Sequence, residues 1–461
     1  MVNMFNRKNP RSSARSNPRI RRDANRATRV CMRRVHSFSL RNIFISFVSV
    51  IAIISVISVI IFGAYKIYEN SLPSGFNASS RESILSNSRN KSHNATKKYR
   101  FRFNVSNEEV DKILKSMTLE DKIAQMFMVT PEQLIGVKNA VTSTNRATYK
   151  RFYAIPVGGI MYKSENLLDP NQTKNMISSF QSLSQSRVSL PALISVDEEG
   201  GTVARVSKNH SMNVKDSPNM SDVGASKKTI KALQIGRYMG KYLSDLGFNV
   251  DFAPVADVLT NPNNELMRKR SFGSDPNLVT NMTSAFTQGL QSSNIFATYK
   301  HFPGHGSTKE DSHKGITISD LNEKELEHVD LKPFKDASEI GVQFIMVSHV
   351  SYPKVTGDNT PASMSEKIVT GLARKKLKYD GVLISDSMGM GAITNSFSSG
   401  QAAVQGIRAG LDMLLCPQDL SVAYKSVLRA VRNGSISEKR IDESVRRIIR
   451  VKLHLESSSL N

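Results

Sequence analysis

Cysteine is almost missing from this chain of 461 residues, which carries only Cys31 and Cys416. Two isolated thiols cannot staple a small scaffold, and they form none of the paired spacings of a cysteine metal centre. A Gly-x-Gly-x-x-Gly turn after the first apolar run is also missing, which weakens a dinucleotide-binding reading. Acidic residues are few, 40 against 63 Lys and Arg, and the formal charge is +23. The excess is localised. Residues 1–42 hold twelve bases and one acid, and residues 66–103 hold eight and two. Most of the basicity therefore lies outside the part with a folding pattern. No nucleic-acid-binding motif accompanies it, so nucleic acid is not an expected partner.

Charge is wholly missing from residues 43–65, which are dominated by Ile, Val and Phe. Twenty-three residues at about 1.5 Å each reach roughly 34 Å, enough to cross a bilayer core of about 30 Å. A cleaved signal peptide would have a shorter apolar region and a small-x-small site, and Phe62-Gly63-Ala64-Tyr65 is a poor one. The segment is expected to be a transmembrane signal-anchor and the chain's membrane partner. The arginine-rich flank before it places residues 1–42 in the cytoplasm as a basic tail. The protein is then single-pass in the cell membrane, with everything after the anchor extracellular. Cys31 and Cys416 would fall on opposite sides and could not pair. Residues 66–103, rich in Ser and Asn, read as a flexible stalk. The folded domain is expected over 104–461.

Within it a pattern recurs. Short apolar or β-branched runs occur at 127–129, 158–162, 192–196, 250–255, 295–299, 344–347, 382–385 and 413–415. Segments of helical period separate them, such as Ile230, Leu233, Ile235, Met239, Leu243 and Leu246. Helix starts are legible too. Asn107 before Glu108 and Glu109, Thr118 before Glu120 and Asp121, and Ser437 all read as caps. Eight buried strands alternating with helices predict an α/β fold, a (β/α)8 TIM-type barrel. A doubly wound open sheet is the alternative.

Polar residues gather where the apolar runs stop: Asp197, Asp257, Lys300 and His301, Ser348 and His349, and Asp386. In a barrel these ends converge on one face, where barrel enzymes keep their active sites. The densest stretch is Lys300-His301-Phe302-Pro303-Gly304-His305-Gly306, followed by Asp311-Ser312-His313. Carboxylates converging with lysine, arginine and histidine, without metal spacing, suit glycoside hydrolysis. One group protonates the leaving oxygen, and another captures or stabilises the anomeric carbon. The turn after Asp197 is expected to point Glu198 and Glu199 away from the site. His305 is expected first to shape its glycine-flanked loop.

These residues resemble the signature of glycoside hydrolase family 3, in its β-N-acetylglucosaminidase branch. The likeness extends through Val196-Asp197-Glu198-Glu199-Gly200-Gly201, Arg270-Ser271-Phe272-Gly273 and Ser385-Asp386-Ser387-Met388-Gly389, over about residues 105–455. It implies a glycosidase that retains anomeric configuration; the outward topology adds cell-wall or other glycans as the expected substrates, and the spacing of the residues calls for no cofactor and no metal. Asp386 would be the nucleophile and His313 the acid/base, oriented by Asp311. Asp197, Arg270, Lys300 and His301 would bind the sugar, with His349 nearby. A histidine acid/base repels an incoming anion less than a carboxylate would, so phosphate is a conceivable acceptor. A non-catalytic carbohydrate-binding surface protein is the competing class. Thr202 and Arg268 depart from the family pattern, where a basic residue and a glycine are common.

Overall fold

The computed structural model of the chain describes residues 105–309 and 315–459, with side chains to residue 455. The expected tail, anchor and stalk lie outside the described residues, as do Cys31, Asp311 and His313. Among the described residues no helix is long and apolar enough to cross a membrane.

The eight apolar runs all become strands of one parallel sheet. They are β1 (Phe127–Val129), β2 (Gly159–Met161), β3 (Leu193–Val196), β4 (Val250–Asp251), β5 (Phe296–Phe302), β6 (Phe344–Val347), β7 (Val382–Ser385) and β8 (Leu414–Leu415). Neighbours run β7-β6-β5-β4-β3-β2-β1-β8. The ends meet: Ser385 N–H donates to Met413 O at 3.1 Å, and Met413 N–H donates to Leu383 O at 3.1 Å. The sheet therefore returns on itself as a TIM-like barrel, and the open-sheet alternative falls. Its strands are buried on both faces, which is why each reads as an unbroken apolar run rather than an alternating one.

Helix starts follow side-chain capping. Thr118 accepts the N–H of Asp121 at 3.1 Å, and Ser437 accepts that of Arg440 at 3.2 Å. The first described helix is capped one residue earlier than the sequence suggested. Ser106 accepts Glu109 N–H at 3.1 Å, and Asn107 is the first helical residue.

Strand β5 also runs further than its apolar run. Lys300 and His301 were expected to end it, and they lie inside it, both buried. Three carboxylates supply their partners, so polar side chains need not end the strand. The register with β6 shifts between Lys300 and Phe302. Such a bulge re-aims side chains beside functional sites.

The opposite end of the barrel is closed by ion pairs. Asp412, fully buried just before β8, accepts Leu383 N–H at 2.9 Å, Ser444 Oγ at 2.7 Å and Arg447 Nη1 at 3.2 Å. It also pairs with Arg374. Ser444 and Arg447 sit on the final helix, Glu438–Ser459, which thereby covers the barrel floor.

Candidate active site

Immediately after β3 the chain turns back on itself. Glu198–Gly200 pairs with Val203–Ala204, turned by Gly200 and Gly201 at φ 91° and 56°, angles that favour glycine. Alternation along this extended segment sends Glu198 one way and Asp197 and Glu199 the other. Glu198 does turn away from the strand ends. Its carboxylate accepts the amides of Arg205, Val206 and Ser207 at 2.7, 2.8 and 3.0 Å, and Tyr242 O–H at 2.7 Å. It is the anchor of the hairpin.

Glu199 corrects the sequence reading, because it lies at the centre of the site. Its Oε1 is 2.7 Å from Lys300 Nζ. The Arg270 guanidinium grips it in a fork, Nε to Oε2 at 2.8 Å and Nη2 to Oε1 at 2.7 Å. Burial alone would raise the Glu199 carboxyl, but Arg270 and Lys300 hold it well below the usual carboxylate range. Lys300 Nζ reaches Asp197 Oδ1 as well, at 2.8 Å. Burial would lower that lysine, yet Asp197 and Glu199 outweigh it and keep the ammonium charged.

Arg270 continues the chain of contacts, its Nη2 lying 3.2 Å from His301 Nε2. On the other side of the ring, His301 Nδ1 meets Asp257 Oδ2 at 2.6 Å. Asp257 also accepts the backbone amides of His301 at 3.1 Å and His305 at 2.7 Å. Burial would raise Asp257, but the His301 ring and these amides hold it below the usual range. One carboxylate thus fixes both the ring at the site and the turn beyond it. His305 behaves as a loop-shaping residue. Its Nδ1 contacts Thr308 Oγ1 at 2.8 Å, and Asn264 Nδ2 donates to its carbonyl at 2.8 Å. Burial, with His301 beside it, pushes its imidazole down to about 4.

Asp386 follows β7 directly and is partly exposed. Its N–H donates to Val347 O at 2.8 Å, and its Oδ1 accepts Ser387 N–H at 2.7 Å. His349 supports this turn, with Nε2 3.0 Å from Ser387 O and Nδ1 2.8 Å from Ser363 Oγ. Both its ring nitrogens face protein groups, Ser363 and Ser387, behind the Asp386 turn.

Asp197, Arg270, Lys300 and His301 are therefore brought into one buried network at the strand ends, on the barrel face that also carries Asp386. Asp311 and His313 lie outside the described residues. Two contributors are not legible in the sequence, Glu199 and Arg205, whereas Asp257 stands at its strand end as expected and only its partners are new. Period-two alternation from Asp197 would have found Glu199. Arg205, whose Nη2 is 3.8 Å from Asp197 Oδ2, depends on the hairpin return. Thr202 and Arg268 are exposed. Among the described residues no cluster of His, Cys, Asp and Glu side chains suits a metal ion.

Residues 118–451 match the family described as glycosyl hydrolase family 3 N terminal domain. A β-hexosaminidase A of Pseudoalteromonas piscicida is 30% identical over 66% of this chain and 54% of its own length. The β-hexosaminidase LpqI of Mycobacterium tuberculosis is 31% identical over 72% of this chain and 82% of its own. Among solved structures, a family 3 β-N-acetylglucosaminidase of a Paenibacillus species superposes with a TM-score of 0.69 at 33% identity, covering 74% of this chain and 64% of that one. The chain thus spans about half the length of the Pseudoalteromonas relative and under two thirds of the Paenibacillus one.

Proposed function

The chain belongs to glycoside hydrolase family 3, and from that premise we propose that it is a retaining, exo-acting β-N-acetylglucosaminidase. The observation that carries this reading is the buried Asp197–Lys300–Glu199–Arg270–His301 network beside the partly exposed Asp386. Lys300 and Arg270 are held in place by Glu199 before any ligand arrives. Donors fixed in advance cost little reorganisation when they meet sugar hydroxyls and the N-acetyl group.

Asp386 attacks the anomeric carbon and forms an ester to the sugar. The glycosidic bond breaks, and its oxygen takes a proton from His313. In the second step His313 accepts a proton from water, whose oxygen displaces the Asp386 carboxylate and releases the sugar. Asp311 pairs with His313 and stabilises its charged form. The substrate is a terminal β-linked N-acetylglucosamine on a cell-wall or other glycan. Residues 43–65 hold the enzyme in the cell membrane with the barrel outside.

The test is release of a chromophore from aryl N-acetylglucosaminides and glucosides by the full chain, with and without phosphate. Release from the N-acetylglucosaminide is expected, reduced at least about 10⁴-fold in Asp386→Ala. No release across pH and phosphate concentrations would overturn the enzymatic reading in favour of a binding protein. Sugar phosphate as product would make it a phosphorylase. Protection of the barrel from protease added to intact cells would refute the outward topology.

A further inference from the structure

Asp330 has no role in the chemistry above, yet its situation is unusual. It precedes the short helix Leu331–Lys335 and is 1% exposed. Apart from its own backbone amide, neither carboxylate oxygen has a hydrogen-bond partner among the described residues. The side chain presses against Gly304 in the turn that follows β5. A methyl group at Gly304 would stand 2.5 Å from Asp330 Oδ1 and 2.7 Å from its Cβ. Gly304 has φ 153°, and its carbonyl accepts the Tyr352 hydroxyl. The next residue, His305, donates its amide to Asp257.

The 303–308 turn is thus gripped between two acids in different states. Asp257 on its inner side has donors and is held in the charged form. Asp330 on its outer side has, among the described residues, only its own backbone amide. Burial and the nearby charge of Asp257 push it up to about 8. Neutral, it can pack against the Gly304 backbone. Charged, it is a second buried anion whose carboxylate has no side-chain donor among the described residues, which is costly unless the turn moves.

Among the described residues, the other titratable groups around it make no hydrogen bond to its carboxylate. Tyr352 carries its hydroxyl toward Gly304 O, and burial keeps it protonated. His305 is held neutral by burial. His301 is engaged by Asp257 and Arg270. On the helix side, Lys324, Glu325 and His328 line, with Asp330, a cavity of about 410 Å³, and His328 Nδ1 is bound to Lys324 O.

We propose that Asp330 is a positioning residue for the active-site turn, seating it as the neutral acid and unseating it when ionised. Asp257 links that turn to the His301 ring, so unseating disturbs sugar binding without touching Asp386. A fall of activity at mildly alkaline pH would then belong to a group outside the reacting set.

Two measurements on the full chain test this, and only the first rests on the glycosidase reading. In kcat/KM against pH, the wild type is expected to fall about tenfold per unit above pH 8. Asp330→Asn is expected to keep its activity at pH 9 within about threefold of that at pH 7. In hydrogen exchange at the 304–308 amides, corrected for intrinsic pH dependence, wild type and Asp330→Asn should agree at pH 6. At pH 9 the wild type should exchange at least about tenfold faster. An unchanged alkaline limb in Asp330→Asn, or equal corrected exchange of the wild type at both pH values, would overturn the proposal. The wild-type exchange decides alone if the variant does not fold. An inactive wild type with the expected exchange would refute the glycosidase reading and leave the positioning role standing.

Discussion

The two ends of the barrel each bury a cluster of opposite charges, and the clusters are built differently. At the floor, Asp412 receives a backbone amide, a hydroxyl and two guanidinium groups. Every partner comes from an element that must be held together, and the acid is fully buried. At the mouth, the contacts run in a chain through shared cations. Lys300 serves two acids, and Arg270 serves an acid and a histidine. The chain ends at Asp197, whose side chain is 15% exposed and whose outer neighbour Arg205 stands at 3.8 Å. A saturated acid closes a structure. A network of prealigned donors with an accessible end can accept a ligand. Burial and ion pairing alone do not distinguish the two, whereas the state of the last partner does.

The largest effect should follow from breaking the floor. Asp412→Ala leaves Arg374 and Arg447 without a buried counter-charge, which costs about 3–5 kcal/mol. Denaturant unfolding should show that loss while kcat/KM per folded molecule stays within about twofold. A proportionate loss of activity in the folded fraction would mean that the floor is not merely structural. The next effect comes from the mouth. Lys300→Met should lower kcat/KM by about 10²-fold, or about 2.7 kcal/mol. Its stability should change by only about 1 kcal/mol, because Glu199 retains the Arg270 fork and Asp197 can reach water. A stability loss as large as that of Asp412→Ala would erase the distinction between the clusters.

The contrast also marks what could be read from the sequence. All eight strands were legible, because a parallel strand buried on both faces must be apolar throughout. Asp197, Asp257, Lys300, His301 and Asp386 were legible as polar residues at strand ends. The partners were not. The glycines after Glu199 signal a turn that points it away, yet the turn starts only after Glu199 has taken its place one alternation beyond Asp197. Asp257 serves two backbone amides, and no side-chain pattern announces a backbone donor. Asp412 is illegible for the same reason. Its partners Leu383 and Ser444 lie 29 and 32 residues away, and only closure of the barrel brings them together.

Titration sharpens the comparison on a smaller scale. His305 is held neutral down to about 4, whereas an unfolded histidine protonates near 6.5. Its folded value is depressed. Its contribution to stability is therefore complete above about pH 6.5 and is lost as pH falls toward 4, by up to about 1.4 kcal/mol per unit. Glu199, also depressed, loses its contribution only as pH falls below the ordinary glutamate value. Unfolding between pH 7 and 4.5 should thus show a slope that His305→Asn flattens and Glu199→Gln does not. Equal slopes in wild type and His305→Asn would mean that the turn holds a charged imidazole.

The smallest effect belongs to the edge of the floor, where Lys122 pairs with Asp442 at 2.8 Å and Glu438 at 3.4 Å. It resembles Lys300 in serving two acids, but its partners are 35% and 56% exposed. Water already solvates those carboxylates, so the pairing adds little to what they have unpaired. Lys122→Met should cost at most about 1 kcal/mol at low salt, and the difference from wild type should vanish in about 0.5 M salt. Lys300, whose partners are only 15% and 1% exposed, should show much less salt dependence. If Lys122 proved as costly to remove as Asp412, exposure of the partners would not be what separates a strong network from a weak one.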